Sequence, residues 1–563
     1  MTTSEITSPR AQLVEGLWQL KQVCEQQDDQ GLRHLHFNTL LKDPDYRLEI
    51  IRRANTSRNP KIRAMAKTLV ELDSRDVLIS RDNTEATRRG LIPKANPDIL
   101  ASQADHNSNH RHQTQHGFVG VEKPSQRQVL VPSLLTLLFL IAAATTWLLR
   151  DSLGLSSSQI VVSGSLFGEQ HWTADKEWVL DGIVYVEAGG RLVIEPGTQV
   201  LGKNGSALVI TRDATLHARG TDSDPIVFSS AKPVGSRTAG DWGGLVMLGN
   251  APVNVADARI EGVPAGDTRA AFGGIDPQSN CGVLEYARIE FAGFEAYANN
   301  ELNGLTLGGC GSNSIVRHVQ VHQALDDGIE VFGGTVDLKH ILITGAGDDS
   351  LDWDMGWRGR VQFLVVQQYP GVGDNAFEGD NNSTSHNATP RSEPVFHNVT
   401  LISSGKADKY QRAMTLRRGT GGHFNNMLVQ GFSGELIDLR DIDTVRHIGQ
   451  HLTFSGLLVE SIGSDGKSFF ADESSKDDDG GFSEERYFAS LDDVQLGVNV
   501  GLTDSATRRD TPDYIPLLRS QSADPELRSP EGEFWDEAAN YHGAIRPGSK
   551  QAWTHGWTAF PEA

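Results

Sequence analysis

Residues 347–359 read GDDSLDWDMGWRG and place four carboxylates, Asp348, Asp349, Asp352 and Asp354, within seven positions, beside two tryptophans. Acids at that density serve as ligands of a hard cation, as the acid and base of a hydrolase, or as a solvated surface. The frame recurs on both sides: DDGIEVF from Asp326 and DNAFEGD from Asp374 superimpose on DDSLDWD from Asp348 without a gap, at offsets of 22 and 26 residues. If each copy is a strand, alternation turns Ile329, Val331, Leu351, Trp353 and Phe377 inward. The residues between them point outward: Asp326, Glu330 and Phe332, then Asp348, Asp352 and Asp354, then Asp374, Glu378 and Asp380. With stacked strands about 4.8 Å apart, facing acids repel by about 1 kcal/mol even at the dielectric of water. Something must offset that repulsion. Calcium is one partner for Glu330, Asp348, Asp352, Asp354, Asp374, Glu378 and Asp380, because it accepts six to eight oxygens in irregular geometry. Arginine is the other: QRAMTLRRG and GELIDLRD bring Arg412, Arg417, Arg418 and Arg440 toward the same face. Asp327, Asp349 and Asn375 have inward parity at the turn and are expected to form a hydrogen-bonded ladder with backbone.

The elements that must hold these residues follow from the repeat. NGLTLG from Asn303 fits one rung earlier, and a second strand recurs in the same frame as RHVQVHQ from Arg317 and KHILITG from Lys339. A period near 22 residues, with β-rich runs and no amphipathic helix, predicts a stacked parallel β-helix. The fixed Leu and Asn frame of a leucine-rich repeat is missing, and a sandwich or propeller gives no rungs that overlay residue by residue. The expected class is mainly β: a right-handed parallel β-helix over 150–563 with a C-terminal cap.

The remainder of the chain reads differently. Residues 129–149, VLVPSLLTLLFLIAAATTWLL, carry no charge over 21 positions, long enough for a single membrane-spanning helix. Arg111, Lys123 and Arg127 precede it closely and only Arg150 follows soon after, so the N-terminus is expected in the cytoplasm. Residues 1–128 hold 19 basic and 16 acidic side chains and the remainder 32 and 57, about +3 and −25 against −22 for the whole chain. The acidity lies beyond the span; it argues against nucleic acid or anionic lipid as that part's ligand and suits cations, or a polyanion bridged by them. In 1–79 the stripe Leu13, Leu17, Leu20 and Val23, with Pro44 and Pro60 opening further helical runs, predicts a small cytoplasmic helical domain. Residues 80–128 read as a flexible polar linker, whose His106, His110, His112 and His116 are more readily solvated than metal-bound. Cys281 and Cys310 both fall beyond the span, where oxidants favour a disulfide, two buried thiols being the alternative; Cys24 is expected reduced.

The stretches VLDGIVYVEAGGRLVIEPGTQV, DWGGLVMLGNAPVN, CGVLEYARIEFAG, NELNGLTLGGCG, DDGIEVFGGTVDLKHILITGAGDDSLDWDMGWRG and the terminal HGWTAF resemble a group of bacterial envelope and secreted right-handed parallel β-helix proteins of the pectin-lyase-like kind. The resemblance spans nearly all of 160–563 and implies fold and location more than activity. With the membrane span it places the β-helix on the periplasmic side of the inner membrane. Asp326, Asp348 and Asp349 beside an arginine are similar to the aspartate triad of polysaccharide hydrolases on this fold, but the glycine-flanked histidine and Arg-x-Lys element expected there are absent, Gly422 and His423 matching only part. Binding of a glycan or another envelope component, or a scaffold role, is therefore favoured over a hydrolase or lyase. Trp353, Trp357 and Tyr369 lie near the acids in sequence; Trp357 is the best placed to stack on a sugar ring, whereas Trp353 has the parity of a core residue.

Overall fold

The computed structural model describes residues 44–73 with scattered positions between 13 and 40, and residues 158–562 except 264–265, 298–299, 407–408, 471–478 and 518–526. The predicted linker 80–128 and membrane span 129–149 lie outside the described residues; among those described, no helix is long and apolar enough to cross a membrane. The chain forms two compact units, Met1–Arg150 and Asp151–Ala563.

In the first unit, helices Pro44–Asn55 and Pro60–Asp73 each open on a proline, which suits a first helical turn because its missing N–H has no partner there. Ile50, Ile51 and Ala54 of one helix and Ile62, Ala66 and Leu69 of the other are buried, as are Leu13, Leu17 and Leu20 of the apolar stripe. Cys24 is buried and forms no disulfide.

Among the described residues of the second unit, 23 strands join in one ladder. Each coil has a short strand, a turn, a long strand and a second turn. The short strands Leu245–Leu248, Leu305–Gly308, Ile329–Phe332, Leu351–Asp354, Asn375–Gly379 and Arg412–Leu416 stack in that order, all parallel. Register sets Leu305 on Ile329, Ile329 on Leu351, Leu351 on Phe377 and Phe377 on Met414. The long strands from Gly282–Glu290 to Leu452–Glu460 stack likewise, with Arg317 on Lys339. Parallel stacking of successive coils makes this a parallel β-helix, the architecture the 22-residue period predicts.

The core lies between the two stacks. Leu305, Ile329, Leu351, Phe377 and Met414 fill one column, and Phe396, Phe424 and Phe454 of consecutive long strands stack with ring centres 5.1 and 5.2 Å apart. Gly379 lies on Trp353 in register; a Cβ there would come within 2.2 Å of the Trp353 ring, so the indole fills the space of two rungs. Six successive long strands are bent at one residue of left-handed backbone, Tyr286, His318, His340, Phe363, Asn398 and Asn426, at φ between 47° and 63°, and the strand Leu452–Glu460 bends at Gly456 instead. Such a residue costs about 1 kcal/mol without glycine. Here the side chains offset it by stacking: Tyr286 on His318 and His318 on His340, each at 4.3 Å.

The segment after the last long strand closes the end of the core with Phe488, 4.9 Å from Phe454. The chain then runs back along the long strands: Gly543 N–H donates to Asn426 O, Asn398 Nδ2 to Tyr541 O, Asp536 N–H to Gln362 Oε1, and Gln320 Nε2 to Ala559 O. A sequence-predicted cap is therefore accompanied by a long strap over one face.

Cys281 and Cys310 are joined in a disulfide, with Cα atoms 5.7 Å apart and a sequence separation of 29. Closing a loop of that length stabilises by about 3 kcal/mol. Non-reduced peptide mapping is expected to show the Cys281–Cys310 cross-link, and Cys281→Ser with Cys310→Ser to lose about that much in denaturant unfolding; free alkylation of both thiols without reductant would refute the pairing.

Candidate functional site

The outer face of the short strands carries two columns. In one, Val246, Thr306, Glu330, Asp352, Glu378 and Thr415 follow in register. In the other, Leu248, Gly308, Phe332 and Asp354 do. The second column is roofed by the segment that leaves the strand Leu245–Leu248: Ala258, Ile260, Val263, Ala270 and Phe272 bury Leu248 and Phe332 beneath them. Asn254 in this roof donates through Nδ2 to Asn381 O at 2.8 Å and Pro390 O at 3.1 Å, tying it to the loop that follows the strand Asn375–Gly379.

Of the readings open to the sequence, a freely solvated acidic face is the one burial excludes. Glu330 and Asp380 point away from the core yet are only 7% and 4% exposed, and Asp352, Asp354 and Glu378 are half-buried. Asp348, at the turn, remains exposed. The arginines then divide the acids into two groups. On the later coils every acid is paired: Arg417 binds Glu378 through Nη2 and Asp380 Oδ1 through Nε at 2.8 Å, Arg418 reaches Asp380, and Lys409 reaches Asp374. Arg412 and Arg440 serve different carboxylates, Arg412 on Glu435 at 2.7 Å and Arg440 on Asp438 at 2.8 Å, one coil further along. On the earlier coils Asp327, Glu330 and Asp352 have no lysine or arginine paired with them among the described residues; their nearest carboxylate oxygens lie within 4.8 Å of one another. Asp326, Asp327 and Asp348 form a second such group.

At the inward-facing turn, Asp327 Oδ1 accepts the Asp349 N–H at 2.9 Å, Asp349 Oδ1 accepts the Asn375 N–H and Nδ2 at 2.8 Å each, and Asn375 Oδ1 accepts the Thr415 hydroxyl at 2.7 Å. Asp349, a catalytic candidate in the sequence, is thus a rung of a hydrogen-bonded ladder, which leaves Asp326 and Asp348 as the accessible members of that triad. Trp357 is a second correction. It is fully buried, its Nε1 donates to Val336 O at 3.0 Å, and its ring centre lies 6.3 Å from Trp353 and 6.2 Å, edge-on, from Phe396, so it packs among core rings and presents no face to a sugar. Tyr369 is likewise buried.

Burial sets the electrostatics. It drives the carboxyls of Asp327, Glu330, Asp349 and Asp352 well above the usual range, and neighbouring acids add to the effect: Glu378 and Glu330 at Asp352, Glu261 and Asp326 at Glu330. Burial and then Asp380 push Asp354 up to about 6. Glu378 is raised by burial against the opposing pull of Arg417. Asp352 Oδ1 is buried without a hydrogen-bond partner. Two residues that the sequence reading did not count as ligands complete the group: Asn303, whose Nδ2 donates to Glu330 Oε2, and Asp327, expected only as a member of the turn ladder. The signal was present, since the overlay aligns Asn303 with Asp327, but an asparagine at a turn carries no mark of its partner.

Coils that stack in parallel, with acids along one outer face, place the second unit in the parallel β-helix class. The family model describing a pectate-lyase like beta helix domain matches residues 164–477. The chain belongs to this family, and its helix is right-handed. No curated protein and no solved structure matches it.

Proposed function

We propose that this protein binds an acidic polysaccharide of the bacterial cell envelope through a calcium ion held by Asp327, Glu330 and Asp352. The observation that carries the reading is a contrast between successive coils: Asp374, Glu378 and Asp380 each have a basic partner, whereas these three converge within 4.8 Å with no lysine or arginine paired to them among the described residues. Three carboxylates, one with an orphaned buried oxygen, fit a hard cation that takes only oxygen. An ion there would leave coordination positions for a carboxylated or sulfated glycan, in keeping with the acidic charge of the β-helix. In this reading residues 129–149 anchor the chain in the inner membrane, the helical unit is cytoplasmic, and the β-helix is periplasmic.

A second reading, a glycoside hydrolase or polysaccharide lyase, is supported by Asp354, raised to about 6 by burial and then Asp380, beside the Asp380 carboxylate that Arg417 and Arg418 bind. A carboxyl raised by burial is the kind of group that serves as general acid in such enzymes. Retention of the protein on a panel of acidic polysaccharides, with and without EDTA, discriminates the two. Calcium-dependent retention that disappears in Glu330→Gln with Asp352→Asn, without new reducing ends or unsaturated products, is expected. Product formation would establish the enzyme instead, and calcium-independent or absent retention would overturn the binding proposal.

A further inference from the structure

The strap meets the long strands through a row of imidazoles. Trp535, Trp553 and Trp557 of the strap stand edge-on to His397, His340 and His318, with ring centres 5.0, 5.2 and 6.0 Å apart, and Phe560 stands likewise to His322 at 6.0 Å. His318, His340 and His397 lie in the strands Ile315–His322, Asp337–Thr344 and Val395–Ile402, on separate coils. Each keeps one ring nitrogen, Nδ1, buried without a hydrogen-bond partner among the described residues. A neutral ring tolerates a bare nitrogen there. An imidazolium carries an N–H at both positions, and no acceptor stands at the second. His322 differs: its Nδ1 lies 2.7 Å from the Thr344 hydroxyl and its Nε2 3.0 Å from the Pro561 carbonyl in the strap. Three of the four contacts with the strap therefore call for an uncharged imidazole.

We propose that the strap is an acid-released cover: near neutral pH it lies closed on the long strands, and protonation of His318, His340 and His397, with His322, lifts it from that face while the coils beneath stay folded. The surroundings of the four rings oppose a positive charge. Burial lowers His318, His322 and His397 to about 4 and His340 to about 2. Arg317 and Lys339 add to this at His318 and His340, Arg509 and Arg288 at His322, and His318 itself at His340, 4.3 Å away. At His397 burial acts alone. Few carboxylates oppose these effects. Glu285 favours the charge at His318 but is already bound by Arg219 and Arg317. On the strap, Asp536 acts on Lys339, and Glu562 lines a cleft with Gln323 and Arg509. A histidine whose pKa is lowered by closure favours the closed state above its ordinary value of 6.5, and that preference is lost as pH falls toward the closed value. Each ring moved from 6.5 to about 4 cuts the ratio of closed to open strap about 30-fold at pH 5, so the rings act together over a narrow range. The acidic column has the opposite sign, because its raised carboxyls stabilise the coils as pH falls.

The test is amide hydrogen exchange of the full chain at about pH 7.5 and about pH 5, corrected for the intrinsic rate. The reporters are the strap amides of Asp536, Gly543, Ala544 and Ala559, which donate to Gln362, Asn426, Thr400 and Gln320 of the long strands. Val399 and Val429, inside the coils, serve as the reference. On acidification the strap amides should lose at least about 100-fold in protection, while Val399 and Val429 keep or gain theirs. His318→Asn and His397→Gln should each make that loss at least about 10-fold smaller. Both replacements already occur in the repeat: asparagine holds the left-handed position of His318 at Asn398 and Asn426, and Gln362 is the register partner of His397. An equal loss in the parent and both variants would assign the opening to the carboxylates Glu285, Asp536 or Glu562 and overturn the proposal. So would a parent whose strap protection does not change with pH, or whose strap and coil amides lose protection together; these two outcomes need no variant.

Discussion

Arg417→Ala is expected to destabilise the β-helix by about 3–5 kcal/mol, the range found when one partner of a buried ion pair is removed. Arg417 is 22% exposed and binds two carboxylates, Glu378 and Asp380, which are 13% and 5% exposed. Burial works against its charge, but Asp380 and Glu378 outweigh that and hold its pKa above the usual guanidinium value. Without it, two acids on adjacent columns face Asp352 and Asp354 with only Arg418 to oppose them. Denaturant unfolding measures the loss. Adding Glu378→Gln and Asp380→Asn to the Arg417→Ala background should recover most of it, because the penalty belongs to the stranded charges; a loss below 1 kcal/mol would mean the pair behaves as a surface contact.

Asp352→Asn should change sign with calcium. In its absence the substitution removes a carboxylate that burial and Glu378, Glu330 and Asp380 disfavour, and stability should rise by about 1–3 kcal/mol, the scale of an unsatisfied buried group. At calcium one hundred times above Kd the parent should gain about 2.7 kcal/mol and the variant little, so the order of the two melting curves reverses. The pH dependence follows from the same groups. An acid raised on folding contributes stability that is fully present below its unfolded pKa and lost as pH rises through its folded one. Asp354, at about 6 in the folded protein against 3.8 as the ordinary value, therefore lowers apo stability between about pH 4 and 6, on the order of 2 kcal/mol. Asp327, Glu330 and Asp352 extend the decline upward. Calcium should flatten it. A calcium-independent rise in stability with pH would remove the acids' burial as the cause.

The coil frame was legible because two simple signals agreed. Alternation marked Leu351 and Phe377 as inward, and the turn acids Asp326, Asp348 and Asp374 fixed the phase, so the pairing of Ile329 with Leu351 could be read directly. Burial of the acids was not legible. The roof comes from 249–275, a segment outside the repeat, and its contacts with Phe332 and Asn381 span tens to more than a hundred residues. Trp357 failed for a related reason: it follows a turn at Met355 and Gly356, both at positive φ, where strand parity no longer predicts direction. The bends at Tyr286, His318 and His340 were hidden because aromatic residues give no sign of left-handed backbone.

The strap gives the β-helix two kinds of folding history in one polypeptide. A coil meets its neighbour after 22 or 26 residues of chain, so coils can add one to the next as soon as each is made. Gln320, in contrast, waits for Ala559, 239 residues later, and Asn398 waits for Tyr541, 143 residues later. During synthesis the long-strand face is a finished sheet with open amide and imidazole groups and no cover. Closure of that face is a single late event of high contact order, slower than coil addition and sensitive to anything that occupies Gln320, Gln362 or Asn398 first.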